Sequence, residues 1–241
     1  MYQTRLEKTL PQVRERIAEA ATRAGRQPTS IRLVAVTKGH PLEAIRAALA
    51  CGVRELGENR LGELEEKRRR LEEMADGPGP DSAVPRWHMV GHLQRRKAPG
   101  VRKAAHLLHS LDSLRLARRL ERTAPDGCDP LPTLIQVNTS GEESKYGFTP
   151  EDFRSQVEEI LEMPSLEVQG LMTMAPLTED RDLIRTTFRR LRELQEEARE
   201  THADYRGREL SMGMSNDYEL AVEEGSTLVR LGTVLFGERP E

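Results

Sequence analysis

Residues 31 to 39, IRLVAVTKG, decide the fold: a β-branched apolar run stops abruptly at Lys38 and Gly39. Leu42, Ile45, Ala48 and Leu49 follow at helical spacing, and a strand feeding directly into an amphipathic helix is the unit of a parallel sheet with crossover helices. Seven further runs repeat the unit: VRELG (53–57), RWHMVG (86–91), HLLHSL (106–111), PTLIQVN (132–138), LEVQGLMTM (166–174), ELSMGM (209–214) and TLVRLG (227–232). Helical periodicity lies between them, as in Phe153, Val157, Ile160 and Leu161, and in Phe188, Leu191, Leu194 and Ala198. Eight alternations in 241 residues match the size of a (β/α)8 barrel, one domain over 1–241, with an open doubly wound sheet as the alternative. Thr149-Pro150-Glu151-Asp152 reads as a helix start, and Asn216 with Glu219 as a capping box for a short helix after the seventh strand. The stretches 76–85 and 124–132 read as surface connections.

Composition narrows the partners. With 37 basic and 40 acidic residues the net charge is −3, and aromatic residues make up 4%, so nucleic acid is not an expected ligand. The opening MYQTRLEKTLPQVRERIAEAA alternates charged with apolar residues and no later run is long enough to span a bilayer, so the expectation is a cytoplasmic protein with no membrane partner. Cys51 and Cys128 lack any metal or redox spacing. The six histidines form no H-E-x-x-H, His88 and His92 flank a strand end, and the expected metal content is none; the histidines read as core or rim residues. The run ELEEKRRRLEE (63–73) reads as a solvated helix face. There is no G-x-S-x-G elbow, Walker loop or dinucleotide fingerprint.

Barrels of this kind carry their chemistry just after the strands. There the chain places Lys38 after the first run, Glu58 and Asn59 after the second, Ser110 in the fourth, Asn138 at the end of the fifth, Ser215 after the seventh, and Gly232 and Thr233 after the eighth. A lysine ending an apolar strand is desolvated, its pKa falls, and the neutral amine that attacks an aldehyde becomes accessible. Ser215, Gly232 and Thr233, with Gly213 and a helix start near Asn216, assemble the phosphate cup that barrels build from their last two loops. An amine beside a phosphate cup is the requirement of pyridoxal 5′-phosphate held as a Schiff base.

The chain resembles the pyridoxal phosphate homeostasis protein family, single-domain relatives of the alanine racemase N-terminal barrel. The resemblance rests on AVTKG around Lys38, GENR (57–60), WHMVGHLQRRK (87–97), HSLDS (109–113), VNTSGEESKYGF (137–148), GLMTMAP (170–176), LSMGMSNDYELAVEEGST (210–227) and VRLGTVLFGER (229–239). It implies a fold-type III barrel without the C-terminal β domain of the racemases, with the cofactor on Lys38 and its phosphate at Ser215, Gly232 and Thr233. Asn59 is implied to lie beside the ring, and Arg230 to face the pyridine nitrogen and mute its electron demand. It also implies a carrier and regulator of the cofactor with no catalytic residues, a monomer, delivering to acceptor enzymes that use pyridoxal phosphate; an amino-acid racemase is the alternative. Arg96 stands where the family usually has asparagine in W-H-x-x-G-x-L-Q-x-N-K, which sets the rim loop apart.

Overall fold

The computed structural model describes residues 1–74, 84–142 and 145–239. All eight runs form strands: β1 (Arg32–Val36), β2 (Glu55–Glu58), β3 (Arg86–Met89), β4 (Leu107–Leu111), β5 (Leu131–Gln136), β6 (Leu166–Met172), β7 (Glu209–Ser211) and β8 (Leu228–Leu231). They close in sequence order into a parallel barrel. The closing seam pairs Arg32 with Leu228 and Val34 with Arg230, which removes the open-sheet alternative. Between and around the strands lie α1 (Tyr2–Arg23), α2 (Leu42–Ala50), α3 (Leu61–Glu73), α4 (Ala98–Ala104), α5 (Leu114–Arg122), α6 (Pro150–Leu161), α7 (Arg181–Thr201), α8 (Tyr218–Glu223) and α9 (Thr233–Phe236). Among the described residues, no helix is long and apolar enough to cross a membrane.

Two-residue alternation splits each strand between two cores. Outward residues such as Ala35, Leu56, Trp87, Met89, Leu108, Ile135, Val229 and Leu231 pack beneath the helices in one large cluster. Inward residues form a second, small one: Val34, Leu107, Leu134, Met172 and Leu228. The rest of the inward face is polar, and that is where the site lies.

Thr149 caps α6 as expected, its hydroxyl accepting from the Asp152 N–H at 3.0 Å with Pro150 in the first turn. The capping box at Asn216 is not formed. Asp217, not Asn216, is the N-cap of α8, and its carboxylate turns back to accept the Met214 N–H at 2.6 Å, while Glu219 reaches Arg16 and Arg23. The seventh strand is also shorter than expected, because Gly213 takes φ +95° and a Cβ there would lie 2.6 Å from that of Ala221. The connection at 124–132 ends early, since Leu131 and Pro132 already belong to β5; most of 76–85 lies outside the described residues.

Candidate functional site

Lys38 stands in the turn after β1, half-buried, two and four residues beyond Val36 and Val34. Alternation from Val34, which lies in the interior cluster, carries Val36 and Lys38 to the inward side. Burial lowers its pKa, and the positive charges of Arg239 and Arg230 lower it further, against the opposing pull of Glu58 and Glu63. An amine in such a place is more readily neutral, and so more nucleophilic, than a surface lysine. Arg239 was not singled out in the sequence; its stem lies over the turn so closely that a Cβ on Gly39 would come within 2.9 Å of it.

The loops after β7 and β8 meet at Ser215. Its hydroxyl accepts the Val234 N–H at 3.3 Å, joining the turn after Gly213 to the start of α9, whose N-cap is Gly232. Ser215, Gly232 and Thr233 thus fall together, with Thr233 exposed and the other two half-buried. Asn59 sits at the end of β2, where its backbone is packed so tightly against Gly91 that a Cβ on that glycine would meet the Asn59 carbonyl at 2.4 Å. Only glycine lets the loop after β3 cross there. Two other polar residues of the expected ring are engaged locally: Ser110 donates to the Gly91 carbonyl at 2.6 Å and Asn138 to that of Glu142 at 2.8 Å.

Arg230 is 5% exposed and points into the barrel, where one guanidinium nitrogen donates to Ser211 Oγ at 2.6 Å and the other to the Thr173 carbonyl at 2.9 Å. Burial pulls its pKa down to about 10, with Asp217 opposing. From Ser211 a chain of hydrogen bonds crosses the interior: Ser211 Oγ to His109 Nδ1 (2.8 Å), His109 Nε2 to His88 Nδ1 (2.8 Å), and His88 Nε2 to Glu55 Oε2 (2.5 Å). With Glu55 ionised and both rings neutral, His88 and His109 each carry their proton on Nε2, Ser211 donates to His109 Nδ1, and Arg230, which can only donate, gives to Ser211 Oγ. The result is a one-way line from a cation to a carboxylate through two neutral rings. The charges agree. Burial lowers both histidines, His109 strongly, while the His88 bond and the charges of Arg86 and Arg32 hold Glu55 below the usual carboxylate range against the upward push of burial. Reading the histidines as core residues was right for these two, but their linkage needed the barrel to close.

Glu58 does not join the ring. It faces outward, fully buried, accepting from Thr37 Oγ1 at 2.5 Å and from Lys67 Nζ at 2.8 Å, while Lys67 also donates to the Thr37 carbonyl and Glu63 at 2.7 Å each. Burial raises the Glu58 pKa despite Lys67, and its Oε2 has no partner. Lys67 is the exception to the solvated helix face expected at 63–73, where Glu65, Glu66, Arg69, Arg70, Glu72 and Glu73 are exposed. Lys67 is 8% exposed because it shares the apolar stripe of Leu61 and Leu64, a spacing visible in the sequence. Through Glu63, which accepts the Gly39 N–H at 2.7 Å, the cluster also holds the turn bearing Lys38. Among the described residues, no group of three or more His, Cys, Asp or Glu could hold a metal ion.

The model of the alanine racemase N-terminal domain matches residues 9–240. A pyridoxal phosphate homeostasis protein of Aquifex aeolicus is 40% identical over 230 residues, 95% of this chain and 96% of that protein. The chain belongs to the pyridoxal phosphate homeostasis protein family. PipY of Synechococcus elongatus, another structural neighbour of this homeostasis family member, was solved with PLP bound; it is 35% identical, with a TM-score of 0.78 over 92% of this chain and all of that one. Alanine racemase of Clostridium difficile superposes with a TM-score of 0.72 at 15% identity, matching 57% of its chain, and shows the shared barrel alone.

Proposed function

We propose that this chain holds pyridoxal 5′-phosphate at Lys38 and passes it to acceptor enzymes, acting in supply of the cofactor and not in catalysis, as a cytoplasmic monomer with a single barrel domain over 1–241. The observation that carries the reading is the convergence of an inward amine of lowered pKa with Arg230 and the Ser215–Val234 junction at one barrel end. The residues fit the group. Lys38, Arg230 and Arg239 supply positive charge for a dianionic ligand, and the start of α9 at Thr233 offers an N–H group that has no partner within the helix.

When bound, the cofactor supplies a reactive aldehyde and a phosphate; the rest is done by the chain. Lys38 offers the attacking nitrogen, Ser215, Gly232 and Thr233 seat the phosphate, and Asn59 flanks the ring. Arg230 presents a guanidinium held rigidly by Ser211 and Thr173 to the pyridine nitrogen, where a cation disfavours protonation. Racemisation needs a second acid–base group opposite the lysine. Of the tyrosines, Tyr2 bonds His40 at 3.1 Å, Tyr205 bonds Gln195 in the core, Tyr218 is buried with its hydroxyl unpartnered among the described residues, and the exposed Tyr146 stacks on His92. Borohydride reduction of the freshly purified protein, followed by peptide mapping, should place a pyridoxyl mass on the Lys38 peptide, and Lys38→Ala should lose the visible absorbance. A label on Lys97 or Lys145 with Lys38 clean would overturn the assignment. In the same preparation, D-alanine forming from L-alanine at an enzyme-like rate would replace the carrier with a racemase.

A further inference from the structure

Apart from Lys38, a cluster of positive charge lies where the turn after β3 meets α5. Arg95 and Arg96 occupy the 3-10 turn Arg95–Lys97 that follows β3, and Arg115, Arg119 and Arg122 recur at i, i+4 and i+7 along one face of α5. These five side chains line a cleft of about 280 Å3. Among the described residues, no acidic and no aromatic side chain lines it. From Arg95 to Arg122 the chain carries nine lysines and arginines against two acids, Asp112 and Glu121, in a protein of net charge −3. Both acids are engaged elsewhere, Asp112 with His92 at 2.6 Å and Glu121 with the Ser165 N–H at 3.1 Å.

Neighbouring arginines are neutralised or spent on the fold. Arg118 pairs with Glu159 at 2.7 Å, and Arg102 donates to the Asp129 and Ser165 carbonyls at 3.1 and 3.0 Å. Among the described residues, none of the five cleft arginines has an ion pair; Arg96 makes a bond at 3.2 Å to the Gln94 amide. Like charges gathered in a concavity repel one another, and a multivalent anion removes that repulsion while giving each guanidinium a bidentate partner.

We propose that this cleft binds a small molecule carrying two or more phosphate groups. The rise of an α-helix sets Arg115, Arg119 and Arg122 about 6 and 4.5 Å apart along the axis, a ladder suited to successive phosphoryl groups and too long for one. Among the described residues no aromatic ring lines it, so the platforms on which single strands stack successive bases are missing. Arg96, the departure from the family's usual asparagine, is one of its walls. The site is distinct from the Lys38 mouth, which is built from β1, β7 and β8.

Isothermal titration of the purified full-length protein with inorganic tripolyphosphate, with and without saturating pyridoxal phosphate, tests this. One equivalent should bind in both cases, and orthophosphate at least ten-fold more weakly. Arg119→Gln, and independently Arg95→Gln, should weaken tripolyphosphate ten-fold or more, while Arg118→Gln, which removes the same charge outside the cleft, should leave it unchanged. Unfolding midpoints near that of the parent confirm that each variant is folded. The proposal fails if no heat is seen, if Arg118→Gln weakens binding as much as Arg119→Gln, or if pyridoxal phosphate displaces the tripolyphosphate. It fails equally if a single-stranded oligonucleotide or an acidic peptide binds this face more tightly than tripolyphosphate.

Discussion

Two buried polar networks lie on either side of the barrel wall, and they are closed in different ways. Inside, the line from Arg230 through Ser211, His109 and His88 to Glu55 matches a donor to an acceptor at every joint, with its opposite charges at its two ends. Outside, charge meets charge at short range: Lys67 spends its three protons on Thr37, Glu58 and Glu63, and one oxygen of Glu58 is left over. The interior line holds the Arg230 guanidinium through neutral partners, as the role proposed for it opposite a pyridine nitrogen requires, and Asp217 acts on it through its charge. The outer cluster fixes a turn by Coulomb attraction, so each partner is indispensable to the other.

The largest effect should therefore come from the outer cluster. Lys67→Met leaves the Glu58 carboxylate buried beside Thr37 with no cation, a change that costs about 3–5 kcal/mol when a buried pair is broken. Pairing it with Glu58→Leu removes both charges and should recover most of the loss. Urea unfolding measures both variants; a loss below about 1 kcal/mol for Lys67→Met would mean that the cluster is hydrated in solution and the contrast between the networks is false.

Breaking the interior line should cost less. Ser211→Ala strands one Arg230 N–H and the His109 Nδ1 lone pair, each buried, and leaving such groups unpaired costs about 1–3 kcal/mol. The same variant frees the guanidinium to turn, so the absorbance of bound pyridoxal phosphate should shift while binding persists. Unchanged stability together with an unchanged spectrum would show that Arg230 is held by Thr173 alone.

The two networks were not equally legible in the sequence. The barrel was readable because each strand is a separate apolar run, and Lys38, Ser215, Gly232 and Thr233 were readable because each falls just beyond one. His88, His109, Ser211 and Arg230 lie on four strands separated by up to 142 residues, and only strand parity, which puts each at an inward position, joins them. Lys67 was hidden for a different reason: three arginines follow it in an ordinary charged helix, and only its phase with Leu61 and Leu64 marks it as buried. The cap at Asp217 escaped because a carboxylate one residue later competed for the same turn and won through the Met214 N–H.

The smallest and most specific effect concerns protons. Burial holds His88 and His109 below their ordinary pKa of 6.5, so the unfolded chain takes up protons that the folded chain refuses. Their contribution to stability is complete above the unfolded value and is lost as pH falls below it. Other groups act in other windows. Glu55 is lowered, so its contribution is lost at more acidic pH, and Lys38 is lowered from 10.5, so it costs the folded state stability below that pH. Glu58 and Asp217 are raised, and favour the folded state increasingly as pH drops toward 4, opposing the histidines. Arg32 and Arg86 are the cationic neighbours of Glu55, and Arg230 stays charged at neutral pH and below. The histidine effect is isolated by difference: wild type should lose stability, relative to a His88→Gln/His109→Gln double variant, by about 1 kcal/mol per ring for each pH unit below 6.5. The double variant will be less stable at pH 7, so the quantity to compare is the slope from pH 7 to 5.5. Superimposable slopes would mean that the rings protonate alike in the folded and unfolded chains, and the neutral-ring line from Arg230 to Glu55 would have to be abandoned.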